Sequence, residues 1–378
     1  MPRSASASRR SLKDLDPNFR KESGTDHLKW IDAFDRRIAM RGLGWLAENR
    51  RRRDFRRIPD RAAGALSEGV QILSHCPAGV YLSFGTDSPD LSVKVQLDGD
   101  EWLDNMPATG AGGVELYQRD GLTWCSVAVG SPSMKEQSYI RSLLKNAIRE
   151  PGEYRLYLPL YRRVCSVAIG IAKNARLTLP AAPVHPRPVV FYGTSITQGG
   201  CANTAGSDFV SLLGRRLDRE MVNLGFSGNG KGEPELAELL AELDAEAFVL
   251  DYLANVDPQR LENTLPEFVD RLRDRRPATP IILMGNIPYD QSLWNRELLD
   301  SHDAKRHRLM EFYLARRAAG DSHLYFIDGH GLLPVGAPGV FSDGIHPSSH
   351  GFAIMAERLE PQFRRVLLWN SRENSARA

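Results

Sequence analysis

The chain has 378 residues, 42% hydrophobic and 25% charged, an ordinary globular composition at a length that favours two domains over one. Its 49 Lys and Arg nearly balance 47 Asp and Glu, so total charge lends no support to a nucleic-acid role, and no apolar run reaches the roughly 18 residues that span a membrane. Four cysteines (Cys76, Cys125, Cys165, Cys201) without CxxC spacing read as reduced small hydrophobes and predict a soluble, cytoplasmic protein.

The opening segment, "MPRSASASRRSLKDLDPNFRKESG", lacks the apolar stretch of a secretory signal and predicts a flexible tail over 1–25. Over 26–180, short runs rich in Val, Leu and Tyr ("GVYLSFGTDSPDLSVKVQLDGDEW", "GVELYQRDGLTWCSVAVG", "GEYRLYLPLYRRVCSVAIGI") alternate with Gly, Pro and Asp, as in an antiparallel β-sandwich. "MKEQSYIRSLLKNAI" (134–148) is expected to interrupt them as a helix or a partly ordered loop. The arginine run "NRRRRDFRRIPD" (49–60) reads as a solvated loop paired with acidic neighbours ahead of a phosphate contact. The Pro-dense "LPAAPVHPRP" (179–188) disfavours helix and central strand and places a linker at 181–187.

From 188 to 370 the texture changes. "PVVFYG", "MVNLGF", "AFVLDYLA", "PIILMGN" and "HLYFIDG" are near-continuous apolar strands, each followed by a helical pattern; Phe209, Leu212, Leu213 and Leu217, for instance, fall at helical spacing. This alternation predicts an α/β unit with a parallel sheet covered on both faces. A second tail is expected at 371–378.

In such sheets ligands bind beyond the carboxyl ends of the strands. Those ends bring Ser195, the "SGNG" glycine Gly228, Asn255 and the pair Asp343 and His346 to one rim. The set suits acyl transfer. A serine hydroxyl is a weak nucleophile until a base takes its proton, and an aspartate three residues before a histidine can fix the imidazole's tautomer and stabilise the imidazolium. The backbone N–H groups of Ser195 and Gly228, with the side-chain amide of Asn255, would form an oxyanion hole. Asp328 and His330, in "IDGHG", form a competing Asp/His pair at a different spacing. Taken singly, "GTS" reads as a capping turn, Gly228 as a loop glycine with positive φ and Asn255 as a helix cap; the convergence of four loops outweighs those readings. No metal-ligand pattern or phosphate loop is present, so neither a metal nor a cofactor is expected.

The blocks "YGTSITQG", "NLGFSGNG", "DYLANV" and "SDGIHPS", over about 188–367, resemble the four motif blocks of the SGNH (GDSL-type) hydrolases. The resemblance implies a three-layer α/β/α domain, with Ser195 as nucleophile, Gly228 and Asn255 as oxyanion donors, and Asp343 and His346 completing the triad. Thr194 and Ile196 stand where the name-giving motif has Asp and Leu, and Leu253 and Ala254 precede Asn255 where the family commonly has Gly. Upstream, "GLGW" (42–45), "FGTDSPDLSV" (84–93) and "GGVELY" (112–117) resemble the β-rich, jelly-roll-like domain named for a Gly-x-Asp-Leu-Tyr signature, with Glu115 in place of its Asp. The implied activity is a serine esterase acting on short acyl esters, acetyl first, of a polar carrier such as a sugar. An acyltransferase with the same triad and an inactive carbohydrate-binding module are the alternatives. The implied partner is a small acyl ester, with neither nucleic acid nor membrane.

Overall fold

Along Leu91–Asp98, Val93, Val95 and Leu97 are buried while Lys94, Gln96 and Asp98 are exposed, the period of two that lays one face of a strand on a core. The structure, a computed structural model, describes residues 24–99, 103–133, 135–148 and 152–377. The first half contains β1 (Leu28–Asp32), β2 (Ala39–Arg41), β3 (Tyr81–Thr86), β4 (Leu91–Asp98), β5 (Val114–Asp120), β6 (Thr123–Gly130), β7 (Ser138–Leu144), β8 (Gly152–Tyr157), β9 (Arg163–Ala172) and β10 (Leu177–Thr178). They form two antiparallel sheets, ordered β1-β9-β4-β7 and β10-β3-β8-β5-β6, with β2 added on β3. Side chains of both sheets, among them Val93, Ile169, Leu82 and Leu156, share one apolar core. Among the described residues, three short α-helices lie between strands: α1 (Leu46–Arg52), α2 (Glu68–Ser74) and α3 (Ala108–Ala111).

Two expectations change here. Residues 138–144, expected above as part of a helix or a partly ordered loop, form β7 against β4. Tyr139 and Leu143 are buried on the sheet's inner face, and an antiparallel partner selects the period of two over the helical spacing of the same apolar residues. The arginine run is partly helical, as α1, and several of its cations pair with acids, Arg52 and Arg56 with Asp60 and Arg53 with Asp32. Arg57, however, is fully buried.

The second half contains β11 (Val189–Gly193), β12 (Met221–Gly225), β13 (Ala247–Asp251), β14 (Ile281–Met284) and β15 (Leu324–Ile327), a parallel sheet of order β12-β11-β13-β14-β15. Its helices are α4 (Ser195–Gln198), α5 (Phe209–Leu217), α6 (Pro234–Glu242), α7 (Pro258–Arg275), α8 (Arg296–Ala318) and α9 (Ser349–Arg377). Val190 and Tyr192 of β11 enter one core with Leu240 of α6 and Phe268 of α7; Val189 and Phe191 enter another with Leu213 of α5 and Phe363 of α9. The strands are therefore buried on both faces, which explains their near-continuous apolar sequences. The result is a mixed α/β fold behind an antiparallel, sheet-rich N-terminal region.

The expected N-terminal tail lies, up to residue 23, outside the described residues. Residues 371–377, expected as a second tail, continue α9 as helix. No helix among the described residues is long and apolar enough to cross a membrane.

Candidate active site

The parallel register brings three loops together. Gly193 pairs with Gly225 on one side and with Asp251 on the other, so the segments carrying Ser195, Gly228 and Asn255 leave the sheet at one level. Gly193 and Gly225 end their strands because a Cβ on either would collide with the α4 turn, at Thr197 and at the backbone of Gln198 respectively.

Ser195 opens α4 but does not cap it. Thr194 is the cap, accepting from the Ile196 N–H at 3.3 Å, while its own N–H donates to Thr197 Oγ1 at 3.1 Å. The Ser195 hydroxyl is thus left for another partner, and its Oγ lies 2.9 Å from His346 Nε2. His346 sits in the turn before α9, and its Nδ1 lies 2.8 Å from Asp343 Oδ2. Asp343 Oδ1 also accepts the N–H groups of Ile345 (3.0 Å) and His346 (2.7 Å), which the three-residue spacing makes possible. Partial burial alone would raise the Asp343 carboxyl, but the His346 amide, the Asn105 side chain and the His346 imidazole outweigh it and hold the group well below the usual carboxylate range. It is a carboxylate wherever the imidazole needs one.

Asp328 and His330 do not join this group. Asp328 is held by Arg306, and His330 lies 3.9 Å from Asp303.

Residues 186–364 match the model of the GDSL-like lipase/acylhydrolase family, and residues 28–177 match that of the N-terminus of SGNH-hydrolase-type esterases. The chain belongs to the GDSL-like lipase/acylhydrolase family. Its enzymatic class is ester hydrolase. Among solved structures, it resembles a protein from Bacteroides ovatus described as a GDSL-like lipase, at 29% identity over 90% of this chain and 98% of that one, with a TM-score of 0.83. Two more distant likenesses concern the fold. The salicylyl-acyltransferase SsfX3 from a tetracycline biosynthetic pathway has 19% identity over 88% and 95% of the two chains and a TM-score of 0.69. A family two carbohydrate esterase from Clostridium thermocellum, in complex with cellohexaose, has 16% identity over 77% and 94% and a TM-score of 0.56. No curated protein matches the chain.

Around the residues expected to hold the oxyanion, this GDSL-family esterase departs from the sequence expectation at one position. Gly228 is exposed at φ +65°, a conformation that favours glycine, and its N–H has no acceptor among the described residues. As the first residue of α4, Ser195 also has an N–H with no partner inside its helix. Asn255, expected as a free third donor, is otherwise engaged. Its Nδ2 donates to the carbonyls of Phe226 (3.2 Å) and Gly230 (3.0 Å), which uses both hydrogens of the amide. The side chain therefore braces the loop that carries Gly228. Gln198 braces it from the other side, its Oε1 accepting the Ser227 N–H at 3.1 Å.

Four supporting residues escaped the sequence reading. Asp251, at the end of β13, accepts from Thr197 Oγ1 at 2.7 Å; desolvation pushes its carboxyl up to about 7, opposed by that hydrogen bond. Its place at a strand's carboxyl end was the available signal. Lys305 reaches from α8 to the Leu253 carbonyl at 2.9 Å, below Asn255. Arg57 and Asn105 come from the first half of the chain, where no local pattern could have marked them.

The one group of metal-ligating atoms in mutual reach among the described residues is Cys201, Asp343 and His346. Two of these already bind each other, and burial pushes the Cys201 thiol up to about 12, away from the thiolate a metal requires.

Proposed function

We propose that the protein is a serine esterase that removes a short acyl group, acetyl first, from a polar carrier such as a sugar, through an acyl-enzyme on Ser195. The observation that carries this reading is the unbroken chain from Ser195 Oγ to His346 Nε2 at 2.9 Å and from His346 Nδ1 to Asp343 at 2.8 Å. His346 takes the hydroxyl proton as Ser195 attacks the ester carbonyl, and Asp343 holds the imidazolium. The N–H groups of Ser195 and Gly228 receive the oxyanion, while Asn255 keeps the second of them in place. His346 then returns the proton to the departing alcohol, and a water activated in the same way releases the acid.

The carrier is inferred from the likeness to a carbohydrate esterase bound to cellohexaose. In this reading residues 188–370 form a three-layer α/β/α hydrolase domain, joined through 181–187 to a jelly-roll-like β-sandwich at 26–180. Four cysteines without disulfides fit a cytoplasmic protein.

Replacing Ser195 with Ala is expected to abolish hydrolysis of p-nitrophenyl acetate, with loss of fluorophosphonate labelling; unchanged turnover in S195A would refute the assignment. A second reading, acyl transfer to an alcohol or amine through the same acyl-enzyme, is favoured by the likeness to a salicylyl-acyltransferase over 88% of the chain. Product analysis with and without added alcohol acceptors separates the two. A binding module without activity predicts no labelling at all.

A further inference from the structure

Asp343 has a donor that its own half of the chain does not supply. Asn105 lies between β4 and α3, 238 residues away in sequence, and its Nδ2 donates to Asp343 Oδ2 at 2.8 Å, the same oxygen that faces His346 Nδ1. The Asn105 turn is fixed independently of that bond. Met106, the next residue, is buried in the core that also contains Phe191 and Ile196 of the catalytic half. Thr109 donates through its hydroxyl to the Asn203 carbonyl, and the carbonyls of Gly110 and Ala111 accept the N–H groups of Leu160 (3.2 Å) and Tyr161 (3.1 Å). The Tyr161 hydroxyl in turn donates to the Ser195 carbonyl at 3.3 Å.

We infer that Asn105 is a positioning residue of the Asp343–His346 relay, so that the β-rich N-terminal half is a working part of the active site. The inference rests on the proposed triad. A carboxylate offers about four acceptor sites, and here they are fully used: two backbone N–H groups meet Oδ1, the imidazole and Asn105 meet Oδ2 at 2.8 Å each, and the Cys201 thiol stands further off at 3.9 Å. The backbone pair fixes one oxygen. The imidazole and Asn105 are the two close donors that fix the other. Donation from Asn105 also draws charge from the oxygen that stabilises the imidazolium, which sets how readily the imidazole gives up its proton. The other titratable groups facing this cluster are the Cys201 thiol, 3.9 Å from Asp343 Oδ2, and Tyr161 below Ser195; burial raises both, so neither ionises in the working range.

The test measures kcat and KM for p-nitrophenyl acetate across pH in wild type, N105A, N105D and S195A, with thermal unfolding of each. N105A is expected to lose about tenfold in kcat at unchanged KM, the scale of one charge-assisted hydrogen bond. The acidic limb of its profile should move up, because the freed oxygen holds the imidazolium more strongly. N105D, which sets a second carboxylate beside the first, should move that limb further in the same direction. Both variants should remain folded at the assay temperature, with N105D unfolding below wild type because two carboxylates then stand side by side. A wild-type kcat and acidic limb in N105A would overturn the inference. So would a loss of kcat that tracks a fall in Tm with no change in pH profile, or a rise in KM alone, which would mark Asn105 as a substrate contact. Full activity in S195A would instead overturn the triad reading itself, and is read separately.

Discussion

Asp251 and Thr197 form a hydrogen bond that has a consequence for stability. The Asp251 carboxyl moves from an ordinary 3.8 up to about 7 on folding, through desolvation, so within that window the folded state keeps a proton that the unfolded chain has released. Stability contributed at this site therefore falls as pH rises from about 4 to about 7. D251N retains an acceptor for the Thr197 hydroxyl and removes the titration. The fall in urea-unfolding free energy between about pH 5 and pH 7.5 should be smaller in D251N than in wild type; an identical fall would remove the account. Asp208, pushed up to about 6 by burial, is present in both proteins and cancels in the comparison. At the same scale, Asn255 shows how a residue correctly placed on the rim can point elsewhere. Its position after β13 is a local property, but the direction of its amide depends on the carbonyls of Phe226 and Gly230, which come from another loop.

At the level of elements, the end of β12 depends on a residue outside its sheet. Arg57 lies buried with its planar guanidinium over Phe226, 4.9 Å from the centroid, and donates to four carbonyls: Cys76 (2.6 Å), Asn223 (2.9 Å), Gly225 (2.7 Å) and Leu73 (2.8 Å). Two of these belong to β12 just before the Gly228 loop. Desolvation lowers its pKa only to about 10, so it remains charged at neutral pH. Arg57→Met fills similar space but withdraws four hydrogen bonds, of whose acceptors the Leu73 carbonyl keeps the Cys76 N–H, and is expected to cost about 3 kcal/mol or more in urea unfolding. Arg57→Lys should recover only part of that loss, since an ammonium cannot reproduce the planar fork. An undiminished stability in the Met variant would show that the carbonyls find other donors. The arginine run was readable as a cluster paired with acids, but nothing in "NRRRRDFRRIPD" distinguishes the one arginine that enters the core.

For the whole molecule, the two halves meet through polar groups that each half would otherwise leave unsatisfied. Glu115, which replaces the signature aspartate, is buried; its Oε2 accepts the Gly206 N–H at 2.9 Å and its Oε1 the Ser126 hydroxyl at 2.8 Å. Arg215 donates to the Gly206 carbonyl at 2.6 Å and lies over Tyr117, 3.9 Å from the ring centroid. The longer Glu side chain thus bridges β5 to the loop before α5. E115A removes the acceptor of the buried Gly206 N–H and of the exposed Ser126 hydroxyl and should cost about 1–3 kcal/mol by urea unfolding, with E115Q milder because it keeps one acceptor oxygen. Equal stability of E115A and wild type would mean that the junction relaxes around the loss. Elsewhere the halves are joined by Trp45 Nε1 donating to Glu242 at 2.9 Å and the Gly42 N–H donating to Glu220 at 2.9 Å.

The sequence alone was sufficient for whatever depends on neighbours along the chain. The change of texture near residue 180, the five buried strands, the rim residues after them and the Asp343–His346 spacing all follow from local periodicity and turn chemistry. Tertiary structure decided what depends on distant segments packing together. It turned 138–144 into a strand because β4 offered a partner, spent the Asn255 amide on a neighbouring loop, and brought Asn105 to Asp343 and Arg57 to β12 across long separations. A hydrogen bond between remote residues leaves no period or motif in the chain, since its geometry exists only after both halves have buried their cores against each other.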